Sequence, residues 1–224
     1  MAIGNSELAL PPEVFPKRGD VYVIGVTGNI AAGKSTVDAM LAAKGAEVID
    51  ADGTTRDLQR RGEPAWKAIL DRFGTDILAP DGELDRPKLG EIVFGNPDAL
   101  RKLELIIHPL VRQEVRRRIL AAAAGSVLVI DAIKLLESGM STACHSLWAV
   151  LAPVDQQLAR LQTQRAMPEA VARQRIGAQA SPEEKANRAD VVIDNAGGLD
   201  DLQRQVDSGW EGTAGAWLHA RRLV

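Results

Sequence analysis

The sequence predicts an α/β fold: a five-stranded parallel sheet flanked by helices on both faces. Three observations predict it. Short β-branched apolar runs alternate with longer stretches of helical periodicity. The runs are apolar throughout rather than at every second residue, as in strands buried on both faces. The first run leads into a glycine-rich loop that opens a helical segment.

The first strand is expected over Val21–Val26, bounded by Asp20 and by Thr27-Gly28. Further strands are expected at Glu47–Ile49, Val127–Ile130, Leu147–Leu151 and Val191–Ile193. Helical patterns lie between them: Lys34–Lys44, Pro64–Phe73, Arg86–Phe94, Pro97–Ala124, Asp155–Arg165, Pro168–Ala178 and Leu199–Val206. In the long fourth pattern, Leu100, Leu103, Ile107, Leu110, Val111, Val115 and Ile119 recur on one helical face. Pro109 predicts a kink or a break there. The alanines at 121–124, before Gly125, read as a helix end.

Residues 1–20, with prolines between Pro11 and Pro16, read as an extended leader. The domain is expected over 21–209. The tail, 210–224, carries no assignable pattern, although Trp217 and Leu218 can dock on the domain.

Composition narrows the function. Lys and Arg number 27 against 30 Asp and Glu, a formal charge of −3, so no nucleic-acid footprint is expected. A local basic site for a small anion needs no basic protein. No stretch approaches the ~20 apolar residues of a membrane span, and the N-terminus lacks a signal-peptide pattern. No membrane partner and a cytoplasmic location are expected. The one cysteine, Cys144, allows no disulfide within the chain and no zinc cluster; beside Leu147 and Trp148 it reads as a small core residue. His145 and His219 are scattered, and Arg116-Arg117-Arg118 reads as the wet face of a helix. Nothing specifies an oligomeric state.

The chemistry starts at Gly28-Asn29-Ile30-Ala31-Ala32-Gly33-Lys34-Ser35, a full GxxxxGK[ST] match between a strand and a helix. Glycines let the backbone wrap a phosphate and aim N–H groups at it. The helix N-terminus adds its dipole. Lys34 is placed to reach the β- and γ-phosphates of ATP, and Ser35 to offer a hydroxyl to Mg²⁺. Ala31, Ala32 and Thr36 complete the nucleotide-binding set.

Ligands of α/β sheets sit beyond the strands' carboxyl ends, where two acidic groups fall. Within Asp50-Ala51-Asp52, Asp52 reads as a base or orienter for a hydroxyl nucleophile, and Asp50 equally as a cap of the following helix. Asp131 reads as a metal-supporting carboxylate or as a turn residue. Asp50-Ala51-Asp52-Gly53 also fits DxxG, a GTPase signature, but the chain has no NKxD to read guanine.

In order and spacing these motifs resemble those of the dephospho-CoA kinases, from about Val21 to Gly209. The resemblance is carried by Thr27 with the phosphate loop, Val48–Asp52 followed by Arg56, and Asp81–Arg86. It continues with Ile107-His108-Pro109, Leu135–Gly139, Arg175-Ile176, Gln179, Lys185 and Ile193-Asp194-Asn195. It implies ATP-dependent phosphorylation of the ribose 3′-hydroxyl of dephospho-CoA. It also implies a helical substrate region over roughly 56–120 and a lid around 160–180. It puts the base on Asp52, with Thr27 and Lys34 beside it. The acceptor falls to Asp52, Arg56, His108, Lys134 and Leu135, and adenine lies near Asn195.

Two departures qualify the resemblance. Where the family often has Pro-Leu-Leu-Phe-Glu, this chain has Ile133-Lys134-Leu135-Leu136-Glu137, and Lys134 reads either as a partner of the acceptor's phosphates or as a solvated loop lysine. Where family lids usually carry an arginine, this chain has Gln164 and then Arg165. One residue turns a helical side chain by about 100°. Arg165 serves only from the helix end, with Arg160, Arg173 and Arg175 as substitutes. The alternatives are a P-loop kinase of another small molecule or nucleoside monophosphate, and a weakly catalytic ATP-binding regulatory protein.

Overall fold

The computed structural model describes residue 15 and residues 18–222. The strands are β1 (Tyr22–Thr27), β2 (Glu47–Asp50), β3 (Val127–Asp131), β4 (Ser146–Leu151) and β5 (Val191–Asp194). They form one parallel sheet in the order β2-β3-β1-β4-β5. The helices are α1 (Lys34–Ala43), α2 (Ala51–Leu58), α3 (Pro64–Phe73), α4 (Arg86–Phe94), α5 (Pro97–Ala121), α6 (Val154–Arg165), α7 (Glu169–Gly177), α8 (Pro182–Asn187), α9 (Leu199–Trp210) and α10 (Ala216–Arg222). The expected strands are all present, each shifted or extended by a residue. The leader expected over 1–20 lies mostly outside the described residues.

The sheet is apolar on both faces, and alternate residues serve the two sides. Val23, Leu128 and Ile130 meet Val111, Val115 and Ile119 of α5. Ile24, Val26, Val129 and Trp148 meet Val37 and Leu41 of α1 and Val206 of α9. The helical region of α3 to α5 has its own small core around Ile69, Ile77, Leu84 and Leu89. A fourth cluster joins Ile30 of the phosphate loop to Leu158 and Leu161 of α6 and Ala172 and Ile176 of α7.

This topology places the site. From β1 the chain crosses to β2 at one edge; from β3 it crosses back over β1 to β4. The loop after β1 therefore sits where the connections diverge, the position at which such sheets bind ligands. The register pairs Val26 with Asp131 and Asp50 with Asp131, so both carboxylates end their strands beside that loop.

Pro109 does not break its helix: α5 runs through it unbroken. Proline removes the donor for the carbonyl of Leu105, and Leu105 is on the solvent side, where water can replace it. Arg18 caps the same helix by donating to the carbonyls of Ile119, Leu120 and Ala122 while pairing with Asp20. Beyond α9 the chain continues through a π-turn, Glu211–Gly215, into α10, and Trp217 and Leu218 pack against the α9 side of the core.

Gly25 marks a tight point in the central strand. A Cβ there would lie 2.6 Å from Cys144 Sγ and 2.8 Å from Leu135 Cδ2. Gly25→Ala is expected to cost about 1–3 kcal/mol by overpacking, read as a lower urea midpoint with an unchanged slope.

Candidate active site

The phosphate loop is shaped from outside. Arg160 Nη1 donates to the carbonyls of Ala31 (3.1 Å) and Ala32 (3.2 Å), and Asn195 Nδ2 donates to Ala32 (2.7 Å). A trans peptide points its N–H opposite its C=O, so turning the Ala32 carbonyl outward turns the Gly33 N–H inward. Gln179 Oε1 accepts from the N–H of Ile30 at 2.8 Å. Gly33 has φ 104° and so near an approach to Asn195 that a Cβ would collide with the amide. Ala31 takes a left-handed φ of 59°, which costs a non-glycine residue about 1–2 kcal/mol.

Lys34 opens α1 and folds back over the loop. Its ammonium lies 3.4 Å from the Gly28 carbonyl and 3.8 Å from Asp131 Oδ1. A cavity of about 460 Å³ opens in front, lined by Lys34, Ser35, Thr36, Asp52, Asp131 and Arg165 among others. Asp131 Oδ1 is buried without a hydrogen-bond partner. Together with the Ser35 hydroxyl it gives hard oxygen donors that fit Mg²⁺. That ion takes one or two protein groups and completes its shell from phosphates and water. Among the described residues no cluster of His, Cys, Asp or Glu could hold a metal alone.

A second cavity, of about 210 Å³, lies between α5 and the end of β3. Leu100, Leu103, Ile107, Val111 and Met140 make it apolar, with Asp52, Glu104, His108 and Lys134 as its ionisable walls. Burial lowers the pKa of His108. Lys134 pairs with Glu104 at this wall. Of the residues expected at the acceptor, Arg56 lines the loop-side cavity instead, and Leu135 lines neither. It is fully buried beneath β1, beside Gly25 and Cys144, and belongs to the core.

Asp52 is the one residue that lines both cavities. It sits in the first turn of α2, whose N-cap is Asp50, accepting from the Gly53 N–H at 2.7 Å and pairing with Arg56 at 3.1 Å. Burial raises the Asp52 pKa; Lys34 and a hydrogen bond from the Ile133 N–H oppose the rise. Thr27 ends β1 with its hydroxyl donating to the Ile133 carbonyl at 3.2 Å.

The possible lid arginines separate by geometry. Arg160 is committed to the loop carbonyls and to the Asn195 carbonyl. Arg173 pairs with Glu169, and neither it nor Arg175 lines the cavity. Arg165, the last residue of α6, lines it together with Gln164.

Asp38 escaped the sequence reading. It lies one turn after Lys34 on the buried face of α1, 8% exposed, and its carboxyl faces that of Asp131. A charged residue between Val37 and Leu41 on an apolar face was the available signal. Burial first, then the Asp131 charge, pushes Asp38 up to about 8. Asp131 is raised by burial and pulled back by Lys34 and by the Asp38 hydrogen bond. Asp38 therefore carries the proton.

Together, the sheet order, the phosphate cradle and a carboxylate between two cavities define a P-loop kinase. The family model for dephospho-CoA kinase matches residues 22–201. A dephospho-CoA kinase of Symbiobacterium thermophilum is 43% identical over 195 residues, 86% of this chain and 82% of that one. Among solved structures, TT1252 from Thermus thermophilus has a TM-score of 0.73 at 30% identity, covering 85% of this chain and 97% of that one. The dephospho-CoA kinase from Campylobacter jejuni has a TM-score of 0.63 at 26% identity, covering 88% and 99%. The chain belongs to the dephospho-CoA kinase family, enzymes of the last step of CoA biosynthesis. These relatives do not favour a kinase of another acceptor or a regulatory ATP-binding protein. No helix of the described residues is long and apolar enough to cross a membrane.

The proton on Asp38 has a measurable consequence. Its folded pKa exceeds its unfolded one, so its contribution to stability is full below about pH 4 and is lost as pH rises toward 8. Asp38→Asn removes that loss. The variant is expected to be more stable than the parent at pH 8, by on the order of 1–3 kcal/mol, with the difference closing toward pH 4. Urea denaturation across that range checks it, and parallel stability curves contradict it.

Proposed function

We propose that the protein transfers the γ-phosphoryl group of ATP to the ribose 3′-hydroxyl of dephospho-CoA in one in-line step. The supporting observation is that Asp52 alone lines both the polar loop-side cavity and the apolar cavity against α5. A group that takes a proton from one substrate while the other gives up a phosphoryl must face both.

The loop N–H groups and Lys34 hold the triphosphate. The adenine end lies toward Asn195 and Leu199, which line the same cavity. Ser35 and Asp131 hold Mg²⁺, which when bound supplies charge neutralisation on the phosphates. The acceptor enters the apolar cavity, with His108 and Lys134 at its wall and Arg56 on the loop side. Asp52 orients the hydroxyl and takes its proton as the new O–P bond forms and the bond to the ADP oxygen breaks. Arg165, the last residue of α6 in the lid, offsets charge on the group in transit. The Ile30 cluster docks the lid on the loop, and closure excludes water.

Purified protein with Mg-ATP is offered dephospho-CoA, adenosine monophosphate or cytidine monophosphate, and ADP release is followed. Turnover only with dephospho-CoA is expected; turnover of a nucleotide instead overturns the reading. Asp52→Asn is expected to lower kcat by roughly 10²–10⁴-fold while leaving ATP affinity within about threefold. Near-normal turnover by that variant refutes the base assignment. Lys34→Ala is expected to abolish transfer, checked by the same assay with equilibrium ATP binding alongside.

A further inference from the structure

Lys185 is 1% exposed and is among the largest fully buried side chains of the described residues. Burying an ammonium costs several kcal/mol unless it is compensated, and burial lowers its pKa. It reaches from α8 to the carbonyl of Ile133, donating at 3.1 Å. That carbonyl also takes the Thr27 hydroxyl at 3.2 Å. Ile133 and Asp52 line the same loop-side cavity, and the N–H of Ile133 faces the Asp52 carboxylate and lowers its pKa. The two donors hold the peptide plane after Ile133, and the Ala132 N–H donating to the Val26 carbonyl at 3.1 Å holds the plane before Ala132; the Ile133 N–H lies on the plane between these two anchors.

We infer that Lys185 is a positioning residue for phosphoryl transfer: through the Ile133 backbone it holds the Asp52 carboxylate at the wall between the two cavities. This rests on the reading of Asp52 as the base. Ile133 lies beyond the end of β3 and outside its ladder, and the donors to its carbonyl are side chains. β1 supplies Thr27. The helix after the lid supplies Lys185. An apolar side chain at 185 would fill the space but leave the carbonyl one donor short.

The test uses Lys185→Met, which removes the donor, and Lys185→Gln, which keeps an N–H without the charge. In Lys185→Met, kcat is expected to fall about 10–100-fold, the usual effect of losing a partner that orients a functional ligand. KM for both substrates should stay within about threefold. Lys185→Gln should recover a large part of kcat. Combined with Asp52→Asn, Lys185→Met should add little further loss, because both act through one carboxylate. A kcat per folded molecule equal to the parent's, with only thermal stability lowered, overturns the proposal. So does a loss that multiplies in the double variant. If Lys185→Met does not fold, Lys185→Gln alone decides in combination with Asp52→Asn. A fully active Asp52→Asn variant would instead sink the base assignment itself, a distinct outcome.

Discussion

The site depends on one arrangement: the carbonyls of Ala31 and Ala32 are held outward by Arg160 and Asn195. A phosphate cradle needs several N–H groups converging on one point, and such groups repel any arrangement that leaves them unpaired. Inside the loop, the Ala32 N–H donates to the Asn29 carbonyl at 3.0 Å and Lys34 reaches the Gly28 carbonyl at 3.4 Å. From behind, the shape is braced by a guanidinium from α6 and an amide from the loop after β5. Gly33 is required at that contact because only a residue without a Cβ lets Asn195 approach.

A second constraint follows from the sheet. Parallel register brings Asp50 and Asp131 to one level beside the end of β1, and their charges must then be managed. Asp50 is spent on capping α2 and on Arg56. Burial raises Asp131, and Lys34 on one side and Asp38 on the other oppose the rise. Asp52, one step into α2, lines both cavities. Carboxylates of the same type and neighbourhood thus separate into a helix cap, a proposed metal supporter and a proposed base.

The strands and most helices were legible because their apolar runs are continuous or regularly spaced, as in Val127–Asp131 and in the stripe along α5. The phosphate loop was legible because its chemistry fixes residue types at fixed intervals. What sequence could not reveal was contact at long range. Leu135 stands next to Lys134, yet one lines the cavity and the other fills the core beneath β1. Arg160 and Arg165 share one helix, and only the fold shows that the first braces the loop while the second faces the cavity. Gln179 and Lys185 were visible as motif members, but their partners, Ile30 and Ile133, lie far away along the chain. Pro109 misled because a helix tolerates a lost hydrogen bond on its wet side.

The burial of Ile30 among Leu158, Leu161, Ala172 and Ile176 joins the phosphate loop to α6 and α7 in one apolar cluster. Such a cluster opens and closes as a cooperative unit. Nucleotide bound at the loop therefore protects α6 and α7 from local unfolding by mass action, about 2.7 kcal/mol at a hundredfold excess over Kd. Amide hydrogens across the lid thus report occupancy of a loop they never touch.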